Sequence, residues 1–535
     1  MTRFEKHFGV VYCIIITRGT LRSRHSDEFG CAAFGCGRLF CNPFENPEVD
    51  MNNSEKTAED RWSAVEAAIG REARVALEEH YALFDERFYL WLADLYDPQT
   101  GGFYCTNAAR DTEGYLPDIQ STAQVLAFLD NSGMTREAGG WQYAIPVEIA
   151  DKTVNFVKGL QSPDDGYVYH PQWEGMKYTE SRLGRDVNWV SEILRPLYRR
   201  YEKEYREAGY SEDEAKELLK KYMPYWDTPA GQRGSLGKPS RTRTAVSDEA
   251  KGAPAAWTPQ LRSLEAWRAY LYGGTVGEDV FLGLDLSGDS YTVGNKLAAQ
   301  TTQIRQRDTE AAASGEPTGY AELTRRFLDE GIREKSGLWE DEVKYNSVNG
   351  LMKICSVYNG MGWAFPCPDR AMRSAMTVAT LDGPDCDGKW AVASVDIYNP
   401  WVAISGLFLN VENYGDPDKK DRFVSVWREK LKSRAASMIR GTSAKIKRFA
   451  KDDGSYGYHW GAPSAHAQGM PITVPGVVCG DVDGGCIAST GTLGRICAAL
   501  DIKEIVPPLF SSADLKKFIE RLLKAEREYN AEKAN

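Results

Sequence analysis

Long apolar runs are missing from this chain of 535 residues. No stretch approaches the roughly 18 apolar residues of a membrane-spanning helix, so no membrane span is expected. A basic stripe is missing as well: 65 Lys and Arg stand against 76 Asp and Glu, for a formal charge of -11. Without clustered cations there is no footprint for neutralising phosphates, which excludes a nucleic-acid partner. Paired cysteines are also absent. Four of the eleven, Cys13, Cys31, Cys36 and Cys41, fall in the first fifty residues at spacings that do not make the close pairs of a zinc site. The other seven are scattered, as reduced thiols in a cytoplasm would be. A secretory signal is lacking too, because the apolar segment Val10 to Ile16 runs into Arg18, Arg22 and Arg24 with no small-residue cleavage site. A cytoplasmic location is the expectation. Finally, Gly480 to Gly485 lacks the Lys and the spacing of a phosphate loop, and His466 has no companion at metal-ligand spacing. No cofactor or metal is expected.

What the sequence does hold is an ordinary core-forming composition, 42% hydrophobic and 26% charged, with an excess of 14 Trp and 27 Tyr beside 49 Gly. The length fits several domains or one repetitive one. Gly and aromatics recur together in five places. Gly101-Gly102-Phe103-Tyr104 leads through Pro117-Asp118 into the apolar-periodic run Ile119 to Leu129. Asp165-Gly166-Tyr167-Val168-Tyr169 leads through Arg185-Asp186 into Val187, Val190, Leu194 and Leu197. Gly337-Leu338-Trp339, Gly388-Lys389-Trp390 and Asp453-Gly454-Ser455-Tyr456 open three further units, the last entering its helix through Asp481 and Asp483.

Each unit is a Gly-aromatic turn, a polar loop and a helix apolar on much of its circumference. Such a helix is satisfied only in an inner layer, with more amphipathic helices outside it. Arg61 to His80, Val147 to Leu160, Leu194 to Ala208, Tyr320 to Lys335 and Arg422 to Phe449 have the outer character. The fold class read from this grammar is all-α: an α/α toroid of about six hairpins over residues 51–510. Residues 1–50 read as a poorly ordered extension and 511–535 as a C-terminal helix. Residues 228–256, rich in Gly, Pro, Ser, Arg and Thr, read as a loop-rich insertion. Residues 257–330 either complete the ring or decorate it.

Phe156-Val157, Gln161 and the following Gly166-Tyr167 resemble the Gln-and-Trp repeat of squalene and oxidosqualene cyclases. Gly102-Phe103 with Asp118, Ser121-Thr122 and Leu126 is similar to the repeat of protein prenyltransferase β-subunits. Six-hairpin carbohydrate-active enzymes use Gly-Gly-Phe turns as well. The resemblance to the terpenoid cyclase and prenyltransferase superfamily implies the toroid, and one fold hosts many chemistries. Asp481-Val482-Asp483-Gly484-Gly485 resembles the Asp-x-Asp-Asp motif of protonating cyclases, which would make Asp483 the acid, although Gly484 stands where that family has its last Asp. The prenyltransferase zinc ligands are not reproduced, since Cys486 is displaced and no His follows His466.

The loops that enter the inner helices converge on one mouth in a toroid, so their side chains are the candidate site. Asp483, Asp481, Asp111, His170 and His459 are the candidate catalytic groups, with Asp111 and Asp483 a pair able to flank a glycosidic bond and the histidines able to move protons near neutral pH. Tyr104, Tyr169, Trp173, Tyr456 and Trp460 are candidate stacking platforms, and Arg110, Arg185, Asp186, Tyr345 and Asn346 candidate polar contacts. Asp118, Asp186, Asp481 and Asp483 immediately precede helices, where a carboxylate also serves as an N-cap. Acid-base chemistry on a small-molecule or oligosaccharide ligand, as hydrolase, lyase or epimerase, leads. An isoprenoid enzyme using Asp483 as general acid is the alternative, and a non-catalytic toroid that binds a polysaccharide or protein is the third reading. Oligomeric state is left open.

Overall fold

The computed structural model describes residues 57–163, 166–176, 180–224, 257–462 and 470–534. The expected extension at 1–50, the insertion at 228–256 and His466 lie outside these residues. The described residues are all-α in character, 63% helical, and their strands are a short hairpin, Gly274–Val276 with Asp279–Phe281. No helix among the described residues is long and apolar enough to cross a membrane.

The chain divides into two compact units. Of the described residues, 257–391 and 399–434 form one; 57–224, 392–398 and 435–534 form the other. Two of the boundaries, after 398 and after 434, fall inside the helices Val395–Tyr414 and Lys420–Lys447.

In the second of these units the sequence repeat has a common physical form. Phe103 bridges Tyr96 on one side and Asp118 on the other, so the Gly-aromatic turn is pinned to the start of the helix Ile119–Asn131. Gly101 sits at φ 87°, and a Cβ there would lie 2.5 Å from the Lys152 backbone. The turn is therefore pressed onto the helix Val147–Leu160. Gln161 bridges Val168 across the next turn and donates from Nε2 to the Gly166 carbonyl at 2.9 Å. Gly454, at φ 88°, presses in the same way onto Arg87 of the helix Glu86–Asp94. The other unit repeats the device: Gly337, at φ 71°, lies against Ala371 and Arg370 of the helix Pro368–Thr380.

Burial follows two classes. Ile119–Asn131 and Tyr345–Met361 are buried around most of their circumference. Val147–Leu160, Tyr320–Gly331 and Pro368–Thr380 bury one stripe only. Two expected boundaries move. Arg61 to His80 is two helices, Ala58–Ile69 and Arg71–Tyr81, broken at Gly70 with φ 85°. Val187 to Leu197 and Leu194 to Ala208 are one 28-residue helix, Glu180–Glu207, that runs through Pro196. Residues 257–330 include the helices Ser290–Ala298 and Thr301–Ser314. The C-terminal segment forms the helix Ser512–Ala534.

Candidate functional site

Three helix starts bring a set of polar side chains together in the unit that holds residues 57–224. Asp118 caps Ile119–Asn131: its Oδ1 accepts the Ser121 amide at 3.1 Å and its Oδ2 the Ser121 hydroxyl at 2.6 Å. Asp481 caps Val482–Cys486, accepting the Gly484 amide at 2.7 Å and the Tyr458 amide at 2.6 Å. Both are buried and both are occupied by the backbone. Asp396 likewise accepts the amides of Val392 and Ala393.

Asp483 differs from all three. It lies one step inside its helix, is partly exposed, and among the described residues accepts one hydrogen bond, from Gln124 Nε2 at 2.6 Å. Burial pushes its carboxyl above the ordinary range, with the charge of Asp118 acting the same way, while the Arg185 guanidinium and the Gln124 amide oppose the rise. The glycines that follow are packing positions. A Cβ on Gly484 would meet the Tyr458 backbone nitrogen at 2.2 Å, and one on Gly485 would meet the Phe88 ring at 2.8 Å. Gly484 therefore has no room for the last aspartate of the cyclase motif. One turn further the helix widens into a π-turn, Ile487–Gly491.

Beneath Asp483 lies a fully buried network. Arg182 donates from Nε to Asp186 at 2.9 Å and from a terminal nitrogen to Gln120 Oε1 at 3.3 Å, and lies 3.9 Å from Asp118. Its guanidinium stacks on Trp173 at 4.5 Å. His170 stacks on the same indole at 4.2 Å and places Nε2 2.8 Å from the Pro117 carbonyl, which fixes the proton on that nitrogen. Burial pushes Asp186 up to about 6, Arg182 opposing and Asp118 reinforcing. Burial also lowers His170. Trp173 and Tyr169 belong to an apolar cluster with Cys105, Tyr167, Leu183, Met470 and Ile472. They hold the loop in place and offer no open face to a sugar.

The remaining sequence candidates are dispersed. Arg110 pairs with its neighbour Asp111 at 2.7 Å on the surface and reaches the Asp94 carbonyl at 3.0 Å. Asp111 makes a local ion pair, and its charge is not among those that act on Asp483. Tyr104 is half-buried, its phenol raised to about 12 by burial and by Asp97. Tyr456 is buried against Phe84 and Phe88, its hydroxyl donating to the Leu83 carbonyl. His459 lies 3.2 Å from the Val392 carbonyl and is lowered by burial. Trp460 is exposed with Arg448 over its ring at 4.6 Å. Tyr345 and Asn346 belong to the other unit, where Tyr345 donates to the Gly383 carbonyl at 2.7 Å and Asn346 to Glu340 at 3.2 Å.

Sequence reasoning passed over Gln120, Gln124 and Glu192. The glutamines are one helical turn apart on Ile119–Asn131, a spacing that was readable. Glu192 lies three turns inside Glu180–Glu207, is partly exposed, and is pushed by burial from 4.5 to about 8. Among the described residues no group of three or more His, Cys, Asp or Glu is arranged to hold a metal. Burial raises the thiols of Cys105 and Cys486, beside these aspartates, well above their ordinary value, so neither is a ready nucleophile. Comparison with protein-family models, with curated proteins and with solved structures finds no match to this chain.

Proposed function

We propose that this protein is an enzyme acting on a carbohydrate or similarly polar ligand by acid-base catalysis, with Asp483 as a catalytic carboxylate in an α/α toroid. The observation that carries the reading is the contrast among the aspartates at the helix starts. Asp118, Asp396 and Asp481 spend their oxygens on backbone and neighbouring donors, whereas Asp483 keeps an open side. A carboxyl raised by burial and flanked by a cation is the arrangement expected of a group that exchanges protons with a ligand. Arg185 and Gln124 beside it suit a hydroxylated or anionic ligand better than an olefin, whose cationic intermediates need aromatic faces and no nearby guanidinium. The turn-onto-helix contact, repeated in both units, and the two burial classes of helix support the toroid.

Asp483→Asn is the test. Against a panel of neutral and uronic oligosaccharides the substitution is expected to reduce turnover by at least 10²-fold, with an unchanged or slightly raised melting temperature, since it removes a carboxyl that burial disfavours. Full activity in the variant would remove Asp483 from the chemistry. Conversion of a polyprenyl or squalene-like substrate with the sugars inert would replace the carbohydrate reading by the isoprenoid one.

A further inference from the structure

We propose that Gln120, Gln124 and Asp186 form a recognition set beside Asp483 that binds two adjacent hydroxyls of a sugar ring. The inference rests on the carbohydrate reading above and adds to it the groups that select the ligand. All three side chains are buried, and each keeps one polar atom without a hydrogen-bond partner among the described residues: Nε2 of Gln120, Oε1 of Gln124 and Oδ1 of Asp186. Buried polar atoms are costly to leave unmet, so a group of them marks a place that something polar fills.

Hydrogen bonds and helix spacing hold the three together. Gln120 and Gln124 stand one turn apart on Ile119–Asn131, where residues four apart are neighbours on one face. Arg182 ties Gln120 to Asp186, donating from Nε to Asp186 at 2.9 Å and from a terminal nitrogen to Gln120 Oε1 at 3.3 Å. Gln124 donates from Nε2 to Asp483 at 2.6 Å. These bonds also fix which atom of each group is left over. Arg182 offers only hydrogens, so Gln120 turns its oxygen toward it and leaves a donor. An ionised Asp483 offers only lone pairs, so Gln124 turns its nitrogen toward it and leaves an acceptor. Asp186 gives one oxygen to Arg182 and leaves the other as a second acceptor. Burial raises the carboxyls of both Asp186 and Asp483, and the Arg185 charge opposes the rise at both, so the two acids lie within the field of one cation.

One donor with two acceptors is the complement of a diol. Two neighbouring hydroxyls donate one proton each to Gln124 Oε1 and Asp186 Oδ1, and one of them accepts from Gln120 Nε2. A carboxylate or phosphate would set its oxygens against those of Gln124 and Asp186, and an olefin would leave all three atoms unmet. Covalent geometry puts the two polar atoms of the Gln124 amide about 2.3 Å apart, so a hydroxyl on Oε1 lies beside the Asp483 carboxyl that holds Nε2. The set thereby brings the ring to the partly exposed acid. A buried water offers the same protons and lone pair, and binding measurements separate the two.

The test measures, by calorimetry on the full chain, binding of the methyl glycosides of glucose, galactose, mannose, glucuronate and galacturonate, and of the monodeoxy derivatives of whichever binds. Removal of a hydroxyl that the set holds is expected to weaken binding roughly 10-fold or more. Two substitutions each invert one member of the set while keeping an oxygen on Arg182: Gln120→Glu turns the free donor into an acceptor, and Asp186→Asn turns a free acceptor into a donor. Each is expected to weaken the parent sugar roughly 10-fold or more, yet to change the affinity of one particular deoxy sugar by less than about 2-fold, because the hydroxyl that the altered group met is already gone. Unchanged affinity of the parent sugar in both variants would show that the three atoms hold a buried water only. Equal weakening of the parent and of every deoxy sugar would make the effect of the variants structural. Deoxy sugars that all bind the unmodified chain as tightly as the parent would exclude the set without any substitution. Each of these three results overturns the recognition set and leaves the role of Asp483 standing. No binding of any of the five glycosides by the unmodified chain overturns the carbohydrate reading itself.

Discussion

A glutamate that keeps its proton in the folded state carries a measurable cost, and Glu192→Gln exposes it without any substrate. Its carboxyl rises from an ordinary 4.5 to about 8, by burial alone. Because the folded value is the higher one, the folded state holds a proton that the unfolded chain gives up. Stability is therefore greatest below pH 4.5 and is lost progressively up to about pH 8. At about 1.36 kcal/mol per pH unit the whole gap amounts to about 5 kcal/mol. Glu192 is partly exposed, so solvent screening reduces the expected effect to about 2 kcal/mol. Glutamine is close in shape and does not ionise. The variant should match the unmodified protein near pH 4.5 and exceed it by about 2 kcal/mol at pH 8 and above. Urea unfolding followed by helical circular dichroism, at half-unit steps from pH 4.5 to 9, gives the comparison through midpoints at matched slopes. Parallel curves for the two proteins, or a variant less stable at pH 8, would show that Glu192 is ionised and stabilised when folded.

Two further outcomes follow from the packing. Arg182→Met leaves Asp118 and Asp186 buried without their cation and should cost about 3 to 5 kcal/mol in chemical unfolding, with Asp186→Asn recovering part of the loss; an unchanged midpoint would show the network to be dispensable. Gly484→Ala sets a Cβ 2.2 Å from a backbone nitrogen that cannot swing aside, and should lower the melting temperature by an amount corresponding to about 1 to 3 kcal/mol, whereas Gly494→Ala, on the same helical run with open space around it, should be neutral or stabilising; equal effects at the two sites would refute the close approach at Gly484.

The all-α character and the Gly-aromatic turns were legible because their cause is local. Gly101, Gly337 and Gly454 each take a positive φ and press onto a helix, a conformation that favours glycine and a contact that requires it, so the pattern is written into neighbouring residues. The aromatic side chains beside those turns were not assignable in the same way. Tyr104 and Trp460 keep exposed surface, whereas Tyr169, Trp173 and Tyr456 are buried, and only tertiary neighbours such as Arg182 and Phe88 decide which ring faces which way. The helix Glu180–Glu207 escaped for a related reason. Pro196 removes one backbone donor at a cost of about 3 kcal/mol, and the buried Ile193, Leu194 and Leu197 around it offset that cost through packing that no local window reveals.

Glu192 shows where attention to helix starts falls short. Inspection of the residues that enter each inner helix finds Asp118, Asp481 and Asp483, but two of these three are occupied as caps, because a helix N-terminus recruits carboxylates whether or not chemistry takes place there. A half-buried acid deep in a charged helix is hidden among surface charges of the same kind. What separates it is that it forms no ion pair among the described residues. Further along the same helix Arg200 pairs with Glu204 and Arg206 with Glu202, each four residues apart, the usual way such charges are satisfied. Arg195 stands three residues from Glu192, a spacing that permits a pair, yet the two form no ion pair with each other. A carboxyl shifted by burial alone is set apart by its packing and not by the charge pattern of its helix, so no window of the sequence reveals it.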